Sequence, residues 1–109
     1  VIYVSIDRNN EGLIRTFTIK GHAGAGRSGE DIVCAAVSAI AYTAVGALNE
    51  MVELKSYTDR DGYMKCSIPS DLTDANKFKA QIILDSMVIG LKQVENTYKK
   101  YVSIVDEEV

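Results

Sequence analysis

Apolar and polar positions alternate at the start of the chain. Ile2, Val4 and Ile6 share one side of the run Val1–Ile6, which predicts a strand. Asp7–Gly12 is polar, ends in glycine and reads as a turn. Leu13–Lys20 predicts a second strand with Leu13, Phe17 and Ile19 on one face, so the two runs form an antiparallel hairpin. The period then changes. From Asp31 to about Val52 the chain is apolar nearly all round, which predicts a buried helix; its alanines and Gly46 would let a neighbour pack close. Leu54–Thr58 and Tyr63–Ile68 are two further strands, with Asp59-Arg60-Asp61-Gly62 as a hairpin turn and Pro69 as the stop. Met64, Cys66 and Ile68 take the inner face. Asp74 to about Lys99 predicts a second long helix, with Phe78, Ile82, Met87, Leu91, Val94 and Tyr98 near helical spacing. Tyr101–Val105 is a last short strand, and Asp106-Glu107-Glu108 reads as a solvated tail. The order ββαββαβ predicts an α+β fold, an antiparallel or mixed sheet carrying two helices, in one domain over residues 1–109.

Composition narrows the function classes. At 47% hydrophobic and 25% charged over 109 residues, the chain can build a core without disulfides or a structural metal. A net charge of −3 argues against direct nucleic-acid binding, which needs a basic face, and would tolerate a basic protein partner. No run of about 18 apolar residues is present, so no membrane span is expected. The start Val1-Ile2-Tyr3-Val4 lacks a basic region and a long apolar stretch, so no signal peptide is expected; the absent Met implies removal of a residue or trimming. Cys34 and Cys66 form no disulfide framework, and a reducing, cytoplasmic compartment is the simplest home. Two Cys and one His are too few for a zinc site, so no metal or cofactor is expected.

Two residues draw the chemistry together. Cys34 lies in the first turn of the predicted helix, where the dipole and free amides favour a thiolate. Its plain reading is a small buried apolar residue. His22, the one histidine, ends a strand and opens a glycine-rich loop, Gly21–Glu30, with Gly21, Gly24, Gly26 and Gly29. A thiol nucleophile needs a base within reach, and only this loop has to fold back to bring His22 to Cys34. Asp31 is either a helix cap alone or also the group that orients His22, with Glu30 a weaker candidate for that task. Ser38, one helical turn after Cys34, either packs or lines the cleft. Backbone amides at the helix start are candidate oxyanion donors. Cys66 reads as core. Gly24-Ala25-Gly26-Arg27-Ser28-Gly29 also spells the dinucleotide pattern, but its strand belongs to a hairpin, and Glu30 and Asp31 would repel a pyrophosphate. An anion- or nucleotide-binding module stays open as an alternative, as does a non-catalytic ribosome-assembly or RNA-binding factor.

Gly21-His22-Ala23-Gly24 followed by Gly29-Glu30-Asp31-Ile32-Val33-Cys34-Ala35-Ala36-Val37-Ser38 resembles the ribosomal-processing cysteine protease family, Prp. The resemblance extends over the whole chain, including Leu91-Lys92-Gln93 and the Tyr-rich stretch after it. It implies a peptidase that removes a short N-terminal extension from large-subunit ribosomal protein L-twenty-seven, cutting after a motif with paired aromatic residues. It implies His22 and Cys34 as the catalytic pair, Asp31 and Ser38 as supporting residues, and a homodimer. Ala25-Gly26-Arg27-Ser28 departs from the family, being smaller and more basic than the aromatic or acidic residues often found there.

Overall fold

The computed structural model describes residues 1–27 and 30–109. The elements are β1 (Ile2–Arg8), β2 (Ile14–Lys20), α1 (Ile32–Val52), β3 (Tyr57–Arg60), β4 (Tyr63–Ser67), α2 (Asp74–Thr97) and β5 (Val102–Glu108). The strands form one sheet in the order β3-β4-β2-β1-β5. β1 and β5 run parallel and every other neighbour is antiparallel, so the sheet is mixed. Alternate residues Ile2, Val4, Ile6, Phe17, Ile19, Met64, Cys66 and Val102 are buried with the inner stripes of α1 and α2 in one core. Both helices therefore cover the same face of the sheet.

Helix α1 starts at Asp31, whose carboxylate accepts from Val33 N and Cys34 N. It ends at Glu53, a left-handed residue whose N–H returns to the Leu48 carbonyl. Its apolar circumference is not all buried. Val33, Val37, Ala41, Ala44, Val45, Leu48 and Val52 face the core, while Ile32, Tyr42 and Met51 are exposed, because a single sheet covers only one side. The close approach expected at Gly46 occurs on α2 instead, where Gly90 sits under Ile40. By length and composition α1 would cross a bilayer, contrary to the reading by uninterrupted runs. A wide apolar stripe that packs on a sheet carries the same composition.

Three other departures have local causes. A bulge between Asp7 and Arg8 shifts the register of the first hairpin, so Ile14, not Leu13, joins Phe17 and Ile19 in the core. On α2 the buried stripe is Ala80, Leu84, Met87, Val88 and Leu91; Phe78 is 70% exposed and Ile82 lies outward too. The acidic end is strand rather than solvated tail. Asp106 accepts from Arg8 Nε at 2.7 Å and from Lys92 Nζ at 3.1 Å, which draws β5 on to Glu108 beside β1.

β3 begins later than predicted, at Tyr57, since the chain must leave the α1 cap and reach the sheet edge. It then runs through Arg60, so the hairpin turn shortens to Asp61-Gly62 between the paired residues Arg60 and Tyr63. Gly62 has φ +70°, a conformation glycine takes without strain. This turn reaches across to β2: Gly21 N donates to the Gly62 carbonyl at 2.9 Å.

Candidate active site

The ends of β2 and β4, the start of α1 and the loop after β2 enclose one cleft. Ile2, Ile19, Val37, Ala41 and Met64 line its apolar part, and Tyr42, Asp59 and Tyr63 its rim. Tyr42 donates to Asp59, tying α1 to the hairpin, and the Arg60 guanidinium lies 4.2 Å over the Tyr63 ring. His22, Cys34 and Ser38 all face this cleft, and Asp31 joins them in the adjoining hollow. The residues singled out in the sequence are thus gathered, although His22 follows a strand end while Asp31, Cys34 and Ser38 belong to the cap and first turns of α1.

Cys34 is half-buried, and its sulfur accepts from the Ala23 amide at 3.2 Å. This contact fixes the chain beside His22 against the thiol. Among the described residues no hydrogen bond joins the imidazole to the sulfur directly; such contacts often tighten only when substrate is bound. Burial pushes the Cys34 thiol above its ordinary pKa, the Ala23 N–H opposes this, and the Asp31 carboxylate reinforces it. The lowered thiol pKa expected from the helix start is not found, since burial dominates and the start amides of Val33 and Cys34 are directed at Asp31.

Asp31 takes Val33 N at 3.1 Å, Cys34 N at 3.0 Å and, across the loop, Ala25 N at 3.1 Å. The Cys34 amide, then those of Ala25 and Val33, hold its carboxyl below the usual range. Ala35 N is also taken, by the Asp31 carbonyl at 3.0 Å. The amides of Val33, Cys34 and Ala35 are thus engaged, which removes them as ready oxyanion donors. The Asp31 hydrogen bonds go to amides and none to His22. Glu30 faces Arg27, at 3.7 Å.

The carboxylate beside His22 is Asp61, with 3.7 Å between Oδ1 and Nε2. Neither Asp61 nor Gly62 was visible as a neighbour of His22 in the sequence, where they signal only a turn. The β2–β4 pairing could have found them, since it sets Lys20 opposite Tyr63. Of the loop glycines, Gly21 has φ +98° and a Cβ there would strike the Val1 carbonyl oxygen. Gly24 has φ +72° in open space, and Gly26 lies against the Glu30 carbonyl, 3.0 Å from where a Cβ would stand. Gly29 and Ser28 lie outside the described residues. Because β2 is antiparallel to both neighbours, the strand before this loop is no part of a βαβ unit, and the dinucleotide pattern loses its setting. Among the described residues no three His, Cys, Asp or Glu side chains gather as a metal site.

Known proteins resemble this chain in sequence and fold. The family model described as cysteine protease Prp matches residues 1–103. The ribosomal processing cysteine protease Prp of Bacillus subtilis is 30% identical, over 91% of this chain and 91% of its own. Its Staphylococcus aureus counterpart, strain Mu50, is 32% identical over 95% and 97% of the two chains. The crystal structure of the S. aureus ribosomal processing protease Prp, with a covalently linked product peptide, superposes with a TM-score of 0.80 at 30% identity, covering 98% of this chain and 100% of that one. With its β2–loop–α1 cleft holding the one histidine and a half-buried thiol, and with this likeness along nearly its whole length, the chain belongs to the Prp family of cysteine proteases.

Proposed function

We propose that this chain removes the N-terminal extension of large-subunit ribosomal protein L-twenty-seven, with Cys34 as nucleophile and His22 as base. The observation that carries this reading is the Ala23 amide on the Cys34 sulfur, which holds the residue next to His22 against the thiol while His22 and Cys34 line one cleft. The apolar lining from Ile19, Val37, Ala41 and Met64 suits the aromatic side chains of such an extension.

With the Cys34 thiol raised above its ordinary pKa by burial, chemistry begins by proton transfer. His22 takes the Cys34 proton as sulfur attacks the scissile carbonyl. The Ala23 N–H stabilises the negative charge growing on sulfur. Collapse of the tetrahedral intermediate breaks the C–N bond, and the His22 imidazolium gives its proton to the departing amine. Water, with His22 again as base, then cleaves the thioester and restores the thiol.

The enzyme works in the cytoplasm on a protein substrate, as a homodimer. The support for a dimer is the family resemblance, together with an apolar trough between α1 and α2 lined by Ile40, Ala44, Ile82, Ile83, Met87 and Gly90. Sedimentation should give twice the chain mass. Incubation with the extended ribosomal protein should release one N-terminal peptide, seen by mass spectrometry, and Cys34→Ala and His22→Ala should release none. An extended ribosomal protein left intact by the wild-type enzyme would refute the substrate assignment.

A further inference from the structure

The β3–β4 turn meets the Gly21-His22 segment in three ways. The Gly62 carbonyl accepts from Gly21 N at 2.9 Å, which clamps the residue just before His22. The imidazole lies on the Gly62 backbone: a Cβ there would stand 2.8 Å from Nε2, 3.4 Å from Cδ2 and 3.5 Å from Cε1. Asp61 Oδ1 is 3.7 Å from the same Nε2. Asp31 and Glu30 are engaged elsewhere, so this turn supplies the carboxylate at the ring.

We infer that the Asp61-Gly62 turn positions the His22 ring for proton transfer, Gly62 as the shelf on which the imidazole rests and Asp61 as the anion facing Nε2. The inference rests on reading His22 as the base. A carboxylate at Nε2 favours the tautomer with its proton there, which leaves Nδ1 to accept the thiol proton. It also faces the positive ring formed once that proton has moved. Asp61 is 97% exposed at its side chain, so its pull is screened by water and salt, and the larger share of positioning falls to the shelf. Both act through His22 and are positioning residues, not catalytic ones.

The test sets Gly62→Ala against Gly12→Ala. Gly12 has φ +80°, close to that of Gly62, but nothing lies within 4 Å of where its Cβ would be. Both variants therefore gain the same backbone strain and should lose similar thermal stability, while only Gly62→Ala crowds the imidazole. Gly62→Ala should lower kcat by about tenfold or more with KM within about twofold, since small misplacements of a catalytic group cost about that much. Gly12→Ala should keep kcat. Asp61→Asn, which should fold normally, is expected to lower kcat by roughly threefold at low salt and less at high salt, and Asp61→Glu to restore part of it. Equal kcat in Gly62→Ala and Gly12→Ala, with Asp61→Asn as wild type and His22→Ala dead, would overturn the inference alone. Turnover by His22→Ala would overturn the base reading and the inference with it.

Discussion

Cys34 and Cys66 are the same side chain in two settings. Cys66 sits in the middle of β4, 1% exposed, between Phe17 of β2 and Tyr57 of β3. Burial pushes its thiol up to about 11, with Ser56 opposing weakly. Cys34 opens on a cleft, yet burial and the Asp31 carboxylate push its thiol up as well, against the pull of the Ala23 amide. The direction of the pKa shift does not separate the two thiols. What separates them is access and company: one thiol shares a cleft with His22, and the other is walled in by strands. A helix start lowers a thiol pKa only when its amides are not already committed, and here Asp31 commits them.

Deletion should break the comparison most widely. Cys34→Ala is expected to lose at least about a thousandfold in turnover, as for a nucleophile in any acyl-transfer enzyme. Cys66→Ala should keep kcat/KM within about twofold and lose ~1 kcal/mol of stability, the cost of a small void in a packed core. Peptide-cleavage kinetics beside urea unfolding separate the two. Normal turnover by Cys34→Ala would exchange the roles assigned to the thiols.

Alkylation sharpens the same contrast without mutation. Iodoacetamide should label Cys34 in the folded enzyme about a hundredfold faster than Cys66, by peptide mapping. The thiolate is the reacting form, and both thiols have raised pKa values. The Cys34 rate should therefore keep rising with pH past the ordinary thiol range, and not level off near neutrality. A plateau below about pH 7 would mean a standing thiolate, and the helix-start argument would have been right after all.

The sequence made most of the architecture legible because alternation and helical period report local burial directly. Every strand and both helices lie near their expected spans, and Asp31 caps α1 as its position implied. The failures came where non-local pairing decides. The bulge at Asp7 and Arg8 moved Ile14 inward, and the facing of α2 depended on which stripe met the sheet, not on which residues were most apolar. Asp106 looked like solvent-exposed charge until Arg8 and Lys92 came beside it. At the site, His22 and Cys34 were readable as types at a short spacing. The Ala23 amide, Asp61 and Gly62 were not, since a backbone donor has no side-chain signal and a turn two strands away shows no link to His22.

The smallest expected effect separates the two helix caps. Asp31 caps α1 and also holds Ala25 across the loop, whereas Thr73 caps α2 through Asn76 N alone, at 3.2 Å. Thr73→Ala should cost ~1 kcal/mol of stability and leave turnover unchanged. Asp31→Asn should lower both stability and turnover, the latter by roughly threefold, since it loosens the segment that joins His22 to Cys34 but removes neither reacting group. It should also leave a mark on the thiol. The Asp31 carboxylate raises the Cys34 pKa, so its neutralisation should move the Cys34 alkylation profile to lower pH and leave that of Cys66 in place. Acid gives the same contrast in stability. The folded-state pKa of Asp31 is depressed, so its contribution is complete above the unfolded carboxyl value, about 3.9, and fades as pH falls through the folded one. Melting at pH 7 and pH 3 should therefore show a smaller acid loss in Asp31→Asn than in wild type, with Thr73→Ala parallel to wild type. An unmoved Cys34 profile in Asp31→Asn would leave Asp31 a cap and nothing more.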